Sequence, residues 1–237
     1  MNEQVRTFQI EFSETANDIQ NFCFMTRAKE LQGEAYLRLE ILKGNAIKLK
    51  QEFISQSDED AANAMLSFEE MIIALANELR MWITLKDDDS DSAWNHLVSA
   101  QYASSTAMKA HSVAKHLDGY VNHLHLLEHV LFPPQLFFSP DMIIARSKCS
   151  ICGQEYGECD HIVGKAYMGK MCVRIIEEVK ELKEVSLVME PANKRARVIR
   201  ITDDDGILRD VMTWQPAPES TDENTSNKEL KDLNYDR

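Results

Sequence analysis

The chain has 237 residues with 44% hydrophobic content, enough for one large domain or two modest ones and too apolar for wholesale disorder. Its 39 acidic against 26 basic residues give a formal charge of −13, which argues against a general grip on nucleic-acid phosphates. No apolar run approaches the roughly 18 residues of a membrane span, and Met1 to Glu14 carries charges where a signal peptide has its apolar core, so a cytoplasmic protein without a membrane partner is expected.

From about Ser13 to Phe132 the pattern is helical. Leu31, Ala35, Leu39, Leu42, Ala46, Leu49 and Phe53 recur at steps of three and four, which keeps them on one helix face. Ala61, Met65, Phe68, Ile72, Leu75, Leu79 and Trp82 do the same after turn residues Ser55 to Glu59, where Ser57 and Asp60 resemble a capping box. The charged segment Lys86 to Asp91 favours a new helix N-terminus. The helix expected from Asp91 to Ala114 carries a stripe of Ala93, Leu97, Ala100, Ala107 and Ala114, small enough for close approach by a neighbour. A fourth, about Lys115 to Leu131, is stopped by Pro133 and Pro134. Apolar stripes joined by short links predict an antiparallel helical bundle over residues 1–132, with self-association or a protein partner on its surface. Cys23, between Phe22 and Phe24, reads as a small buried hydrophobe.

After Pro134 the texture changes. Leu136 to Phe138, Met142 to Ala145, Val173 to Ile176, Val185 to Val188 and Val198 to Ile201 are short β-prone runs, and Asp205-Gly206 marks a hairpin turn. Residues 133–215 therefore form a small β-rich unit with too little apolar core of its own. A polar, acidic segment, 216–237, is expected to be a disordered tail.

Four of the five cysteines lie within 24 residues, as Cys149-Ser-Ile-Cys152, Cys159-Asp-His161 and Cys172. Clustered thiols without a secretory signal point to a metal site rather than to disulfides. Two cysteines separated by two residues turn both sulfurs inward on one knuckle, with Gly153 supplying backbone freedom, and Cys159 and His161 share one side of an extended chain. Thiolates and imidazole suit tetrahedral zinc. Five candidates compete for four places: Cys149, Cys152, Cys159 and His161 come first, with Cys172 either replacing His161 or packing beneath. A surplus of protein ligands favours a structural Zn2+ of zinc-finger type over a catalytic one, which keeps a position for water. A RING-type pair of metals would need about eight ligands.

Two other signals suggest alternatives. His125-Leu-Leu-Glu128-His129 matches the inverted zinc-protease motif H-x-x-E-H, which would make the chain a metal-dependent hydrolase or give it a second metal site. Lys194, Arg195, Arg197 and Arg200 form a basic cluster that would serve nucleic-acid binding, though alternation along a strand favours a solvated face.

Glu184-Val185-Ser186-Leu187-Val188, followed by Pro191-Ala192-Asn193 and Ala196-Arg197-Val198, resembles a segment of tailed-phage prohead proteases. The cysteine segment, with Gly164, Tyr167 and Gly169 before Cys172, is similar to zinc modules that precede such an element in phage-related proteins. The likeness spans about 50 of the 237 residues. It implies a phage or mobile-element setting for the β-rich unit and a prohead-protease-like hydrolase as an alternative activity, although no catalytic Ser or His of that family is recognisable. The combined expectation is an α+β protein: a helical bundle, a zinc-stabilised β-rich unit and a tail. It acts by interaction or assembly, with no catalytic set.

Overall fold

The computed structural model describes residues 2–217. The chain divides into two compact units, one ending at Arg197 and the other beginning at Val198. The first contains five α-helices: α1 (Glu3–Gln20), α2 (Lys29–Ser55), α3 (Glu59–Lys86), α4 (Ser90–Ala110) and α5 (Asp118–Leu131). It also holds β1 (Phe137–Cys149), β2 (Ala166–Tyr167), β3 (Lys170–Met171) and β4 (Arg174–Val188). The fold is thus mixed, with a helical N-terminal part and small antiparallel sheets.

Helix α1 begins about ten residues earlier than the expected helical stretch. Asn2 caps it by accepting from the Gln4 N–H at 3.0 Å, and Val5, Phe8, Phe12, Ala16 and Ile19 bury a stripe at three- and four-residue spacing. The charges at Glu3, Arg6, Glu11 and Glu14 occupy the opposite face. Helix α3 is the centre of the bundle: its apolar stripe is buried from Ala61 to Trp82, and residues on its other faces, Ala62, Leu66 and Ala76 among them, are buried too. A stripe that includes Asn63, Glu70, Asn77 and Arg80 is left incompletely buried, so α3 has neighbours on most sides. Phe68 packs against Phe8 and Phe12 with ring centroids 5.4 and 5.3 Å away. Links of three residues join α2 to α3 and α3 to α4, which makes those pairs antiparallel. Ala93, Ala100, Ala103 and Ala107 lie buried on α4 and let it approach α3, where the Ser67 hydroxyl donates to the Ala107 carbonyl at 2.9 Å.

Carboxylates cap the two central helices. Asp58, rather than Ser57, caps α3 by accepting from the Ala61 N–H at 3.1 Å, and Asp89 caps α4 by accepting from Ser92 at 2.9 Å. Helix α4 stops at Ala110 and not at Ala114, because His111 turns to an extended backbone and begins a single 3-10 turn, Ser112–Ala114. Leu31, on the expected apolar stripe of α2, is exposed, whereas Ala35, Leu39, Leu42, Ala46 and Phe53 are buried. Cys23 is buried, as its aromatic neighbours suggest.

The short β-prone runs after Pro134 join into two long strands. β1 and β4, of 13 and 15 residues, pair antiparallel as one ribbon whose connecting segment is the cysteine loop. Register shifts near Met142, Ile144 and Ser147 leave single residues such as Lys183, Lys180 and Glu177 without a cross-strand partner. Val179, Leu182, Val185 and Leu187 consequently stand opposite Ile144, Met142, Pro140 and Phe138. Those four alternate along β1, so all eight share one face of the ribbon. The other face pairs Ser139 with Ser186, Asp141 with Glu184 and Arg146 with Glu178. Every residue from Arg174 to Val185 of β4 is exposed.

The ribbon is pinned at opposite ends of the bundle. At its base, Trp94 of α4 contacts Phe132 and Phe137 at 5.4 and 6.0 Å between ring centroids, and its indole N–H donates to the Lys194 carbonyl at 3.0 Å. At its loop end, the Gly169 N–H donates to Asn63 Oδ1 at 2.8 Å, near the start of α3.

In the second unit, β5 (Arg200–Thr202) and β6 (Leu208–Asp210) form the hairpin signalled by Asp205-Gly206, with Gly206 at φ +79°. Asp203 Oδ1 accepts from the Asp205 and Ile207 N–H groups and shapes this turn. Of the segment 216–237, Pro216 and Ala217 pair with the β6 hairpin, and the remainder of the expected tail lies outside the described residues.

Candidate metal centre

β1 ends on Cys149, and a tight knuckle follows. The Gly153 N–H donates to the Cys149 carbonyl at 2.9 Å, the Ile151 N–H points at Cys149 Sγ at 3.4 Å, and Gly153 takes the left-handed φ of +73° that closes the turn. Cys172 returns the chain to β4: its N–H donates to the Lys165 carbonyl at 2.8 Å, and its carbonyl accepts from Gly164 at 2.9 Å. Between these points β2 and β3 make a hairpin through Met168 and Gly169, both at positive φ.

The donor atoms of Cys149, Cys152, Cys159 and His161 all lie within 4.8 Å of one another. Donors around an ion with metal–sulfur bonds of about 2.3 Å stand about 3.8 Å apart in a tetrahedron, so a small inward adjustment would complete the coordination. The His161 ring packs edge-on against Tyr167 with centroids 4.7 Å apart, and its Nδ1 is buried with no hydrogen-bond partner. An orphaned buried imidazole nitrogen on a residue clustered with three thiols fits a metal ion, which would supply the missing partner. Cys172 Sγ is buried and 3.8 Å from Cys149 Sγ. All five expected donors therefore meet in one place, and four of them form the mutually close set.

The electrostatics suit a cation. Burial opposes ionisation of Cys149, yet the backbone N–H groups of Cys152 and Ile151 and the neighbouring thiols bring it down to about 6. Burial, then the Cys149 sulfur, pushes Cys172 up to about 11. Crowded sulfurs cannot all ionise without a positive charge among them, and a metal ion supplies it. The cluster could hold a metal ion, and among the described residues it is the only grouping of this kind.

The loop is fastened to the bundle. Besides the Gly169 bond, the Asn63 amide donates to the Ala166 carbonyl at 3.4 Å and the Met168 N–H donates to a Glu59 carboxylate oxygen at 3.3 Å. Gly169 approaches α2 so closely that a Cβ there would meet the Lys50 side chain at 3.0 Å and Ile54 at 3.3 Å.

Among the described residues the H-x-x-E-H side chains do not form a metal-holding cluster, and His125 Nδ1 lies 3.8 Å from Glu128 Oε2. His125 and His129 are exposed on α5, and Glu128 accepts from Lys194 Nζ at 2.5 Å and from the Gln101 amide at 2.7 Å. Burial raises the cost of that carboxylate, but Lys194 and Gln101 hold it below its ordinary range, which suits an ion pair and not a general base. Three members of the basic cluster are engaged within the chain, Lys194 with Glu128, Arg195 with Ser99 Oγ and the Tyr102 ring, and buried Arg197 with Asp91 and Gln135, while Arg200 on β5 is exposed.

One constellation carries little trace in the sequence. Glu78, buried within the α3 stripe, accepts from Tyr120 Oη at 2.7 Å and pairs with His123 Nε2 at 3.1 Å. The usable signal is a lone glutamate within the apolar positions of α3, which demands partners. No helix among the described residues is long and apolar enough to cross a membrane. Compared with known proteins, the chain matches no family model, no curated protein and no solved structure.

Proposed function

We propose that the chain is a non-enzymatic zinc-binding interaction or assembly protein of the cytoplasm, from a bacterial, phage or mobile-element setting, in which zinc is structural. The observation that carries this reading is the convergence of the donor atoms of Cys149, Cys152, Cys159 and His161, together with the buried, unpartnered Nδ1 of His161. Three thiolates and an imidazole favour zinc over harder cations, and four protein donors leave no position for a reacting water. Cys172 lies beneath them as a buried thiol. The phage setting rests on the resemblance of Glu184 to Val188 and Pro191 to Asn193 to the prohead-protease element. Leu37 and Ile41 on α2 and Leu126 and Val130 on α5 are exposed, and they offer a protein partner an apolar surface on the bundle.

The test is elemental analysis of protein purified under reducing conditions, with zinc expected at one equivalent per chain. His161→Ala should lose that zinc, and Cys172→Ala should keep it. Absence of bound metal would remove the reading. A peptide or ester hydrolysis lost in a folded His125→Ala variant would replace it with the hydrolase alternative.

A further inference from the structure

Helices α1 and α5 stand on either side of one face of α3 and leave a cleft between them. Met71, Ala74, Leu75 and Glu78 occupy positions i, i+3, i+4 and i+7 of α3 and so share the side that floors it. The cleft holds two cavities of about 360 and 320 Å3, which adjoin across Gln20 and Tyr120. Each reaches the size of a small-molecule pocket, about 300 Å3 or more. Phe12, Ala16 and Leu117 complete an apolar lining in the first, whereas Glu78, His123, Cys23 and Phe24 line the second.

We propose that this cleft binds a small organic ammonium ion, its charged nitrogen against Glu78 and its apolar body over Met71, Ala74 and Leu75. The carboxylate carries the argument. Glu78 is 1% exposed, yet it borders the second cavity. A carboxylate offers about four acceptor sites, and Tyr120 Oη at 2.7 Å and His123 Nε2 at 3.1 Å occupy two of them. The phenol is neutral, and the imidazole is charged only when protonated. Among the described residues no Lys or Arg lines either cavity. A buried anion without a permanently charged partner is costly, and a cation that brings its own apolar cover relieves that cost. Phe24, 53% exposed, and Tyr120 add ring faces, which attract an ammonium. A lysine side chain from a protein partner would satisfy Glu78 but leave the apolar cavity empty, so a free amine with a ring system is the better fit. The site shares no residue with the cysteine cluster, and the inference stands apart from the structural-zinc reading.

The probes are tryptamine, protonated at neutral pH, and tryptophol, in which a neutral hydroxyl replaces the ammonium. Full-length protein is titrated with each by isothermal calorimetry, with helical circular dichroism measured on every variant. Tryptamine is expected to bind wild type with a sub-millimolar Kd, and tryptophol roughly tenfold or more weaker, the scale of a charge-assisted hydrogen bond. Glu78→Gln keeps the side-chain shape and an acceptor for Tyr120, and it should bring tryptamine down to the affinity of tryptophol. Asn17 is exposed and lines the apolar cavity, so Asn17→Trp should fill that space and abolish binding of both probes with the helices intact. Where Glu78→Gln fails to fold, the two probes on wild type and Asn17→Trp decide the question. Tryptamine that does not bind wild type at millimolar concentration, tryptophol that binds as tightly, a folded Glu78→Gln variant with unchanged affinity, or wild-type binding by Asn17→Trp would each overturn the proposal.

Discussion

Stripping the proposed zinc should open the cysteine loop and leave the bundle folded. No residue between Ser150 and Met171 is buried as a whole except Gly169, so the loop has no apolar core to fall back on once its donors separate. Holding Cys149 and His161 together closes a segment of 13 residues, which by chain entropy alone is worth about 3 kcal/mol. The full coordination is worth more, since structural zinc binds finger peptides with an apparent ~10–16 kcal/mol. A loss of about 3 kcal/mol should speed amide exchange of Ser150 to Met171 by roughly a hundredfold. Helix α3, whose Leu79, Met65 and Ile72 are fully buried, should keep its protection. Hydrogen exchange read by mass spectrometry before and after chelation, with metal removal verified on the same sample, is the appropriate assay. Unchanged exchange in a verified metal-free loop would refute the argument. So would loss of protection in α3 at the same chelator concentration as in the loop.

Three further outcomes follow from the packing. Phe68→Ala removes a fully buried ring from between Phe8 and Phe12 and should cost about 3–5 kcal/mol in urea unfolding; a loss below 1 kcal/mol, on the scale of surface substitutions, would show that the α1–α3 contact is not part of the core. Gly169→Ala places a methyl against Lys50 and Ile54 at φ +73° and should lower stability by about 1–2 kcal/mol while zinc stoichiometry stays the same, as calorimetry and elemental analysis would show together. His96, which hydrogen-bonds Asn77 at 3.0 Å, is held down to about 4 by burial and then by Arg80. Its folded-state value lies below its unfolded one, so the unfolded chain takes up the proton first as pH falls. Stability should therefore decline from pH 6.5 towards 4, and His96→Gln should flatten that decline in thermal melts; an identical slope in the variant would assign the acid sensitivity to other groups.

The helical part was largely legible because an apolar residue every three or four positions has few other ways to bury itself. Ala61 to Trp82 and Ala93 to Ala107 occupy the positions that this spacing implies. Helix α1 was harder to see, since Glu3, Arg6, Glu11 and Glu14 dilute the stripe of Val5, Phe8 and Phe12 until a partner is known. The ribbon was hidden for another reason. Glu177, Lys180 and Lys183 break the two-residue alternation of a strand, and only pairing with β1 shows that bulges restore Ile176, Val179, Leu182 and Val185 to one face. The expected separate strand runs are consequently one continuous β4.

For the metal centre, spacing alone nominated Cys149, Cys152, Cys159, His161 and Cys172, because the geometry of a knuckle is local and two residues suffice to turn two sulfurs inward. The same spacing put the first four ahead of Cys172, and only three dimensions show the mutual closeness of those four donors, the unpartnered Nδ1 of His161 and the burial of Cys172. The same holds for His125, Glu128 and His129, whose helical spacing is right for a metal but whose surroundings, Lys194 and Gln101, arrive from distant parts of the chain. Sequence by itself determined the periodic helices and the local ligand knuckle, since both are set by backbone geometry over a few residues. Tertiary structure decided which carboxylates are neutralised, which face of the ribbon is left uncovered and which donors converge, because those depend on contacts between residues far apart along the chain.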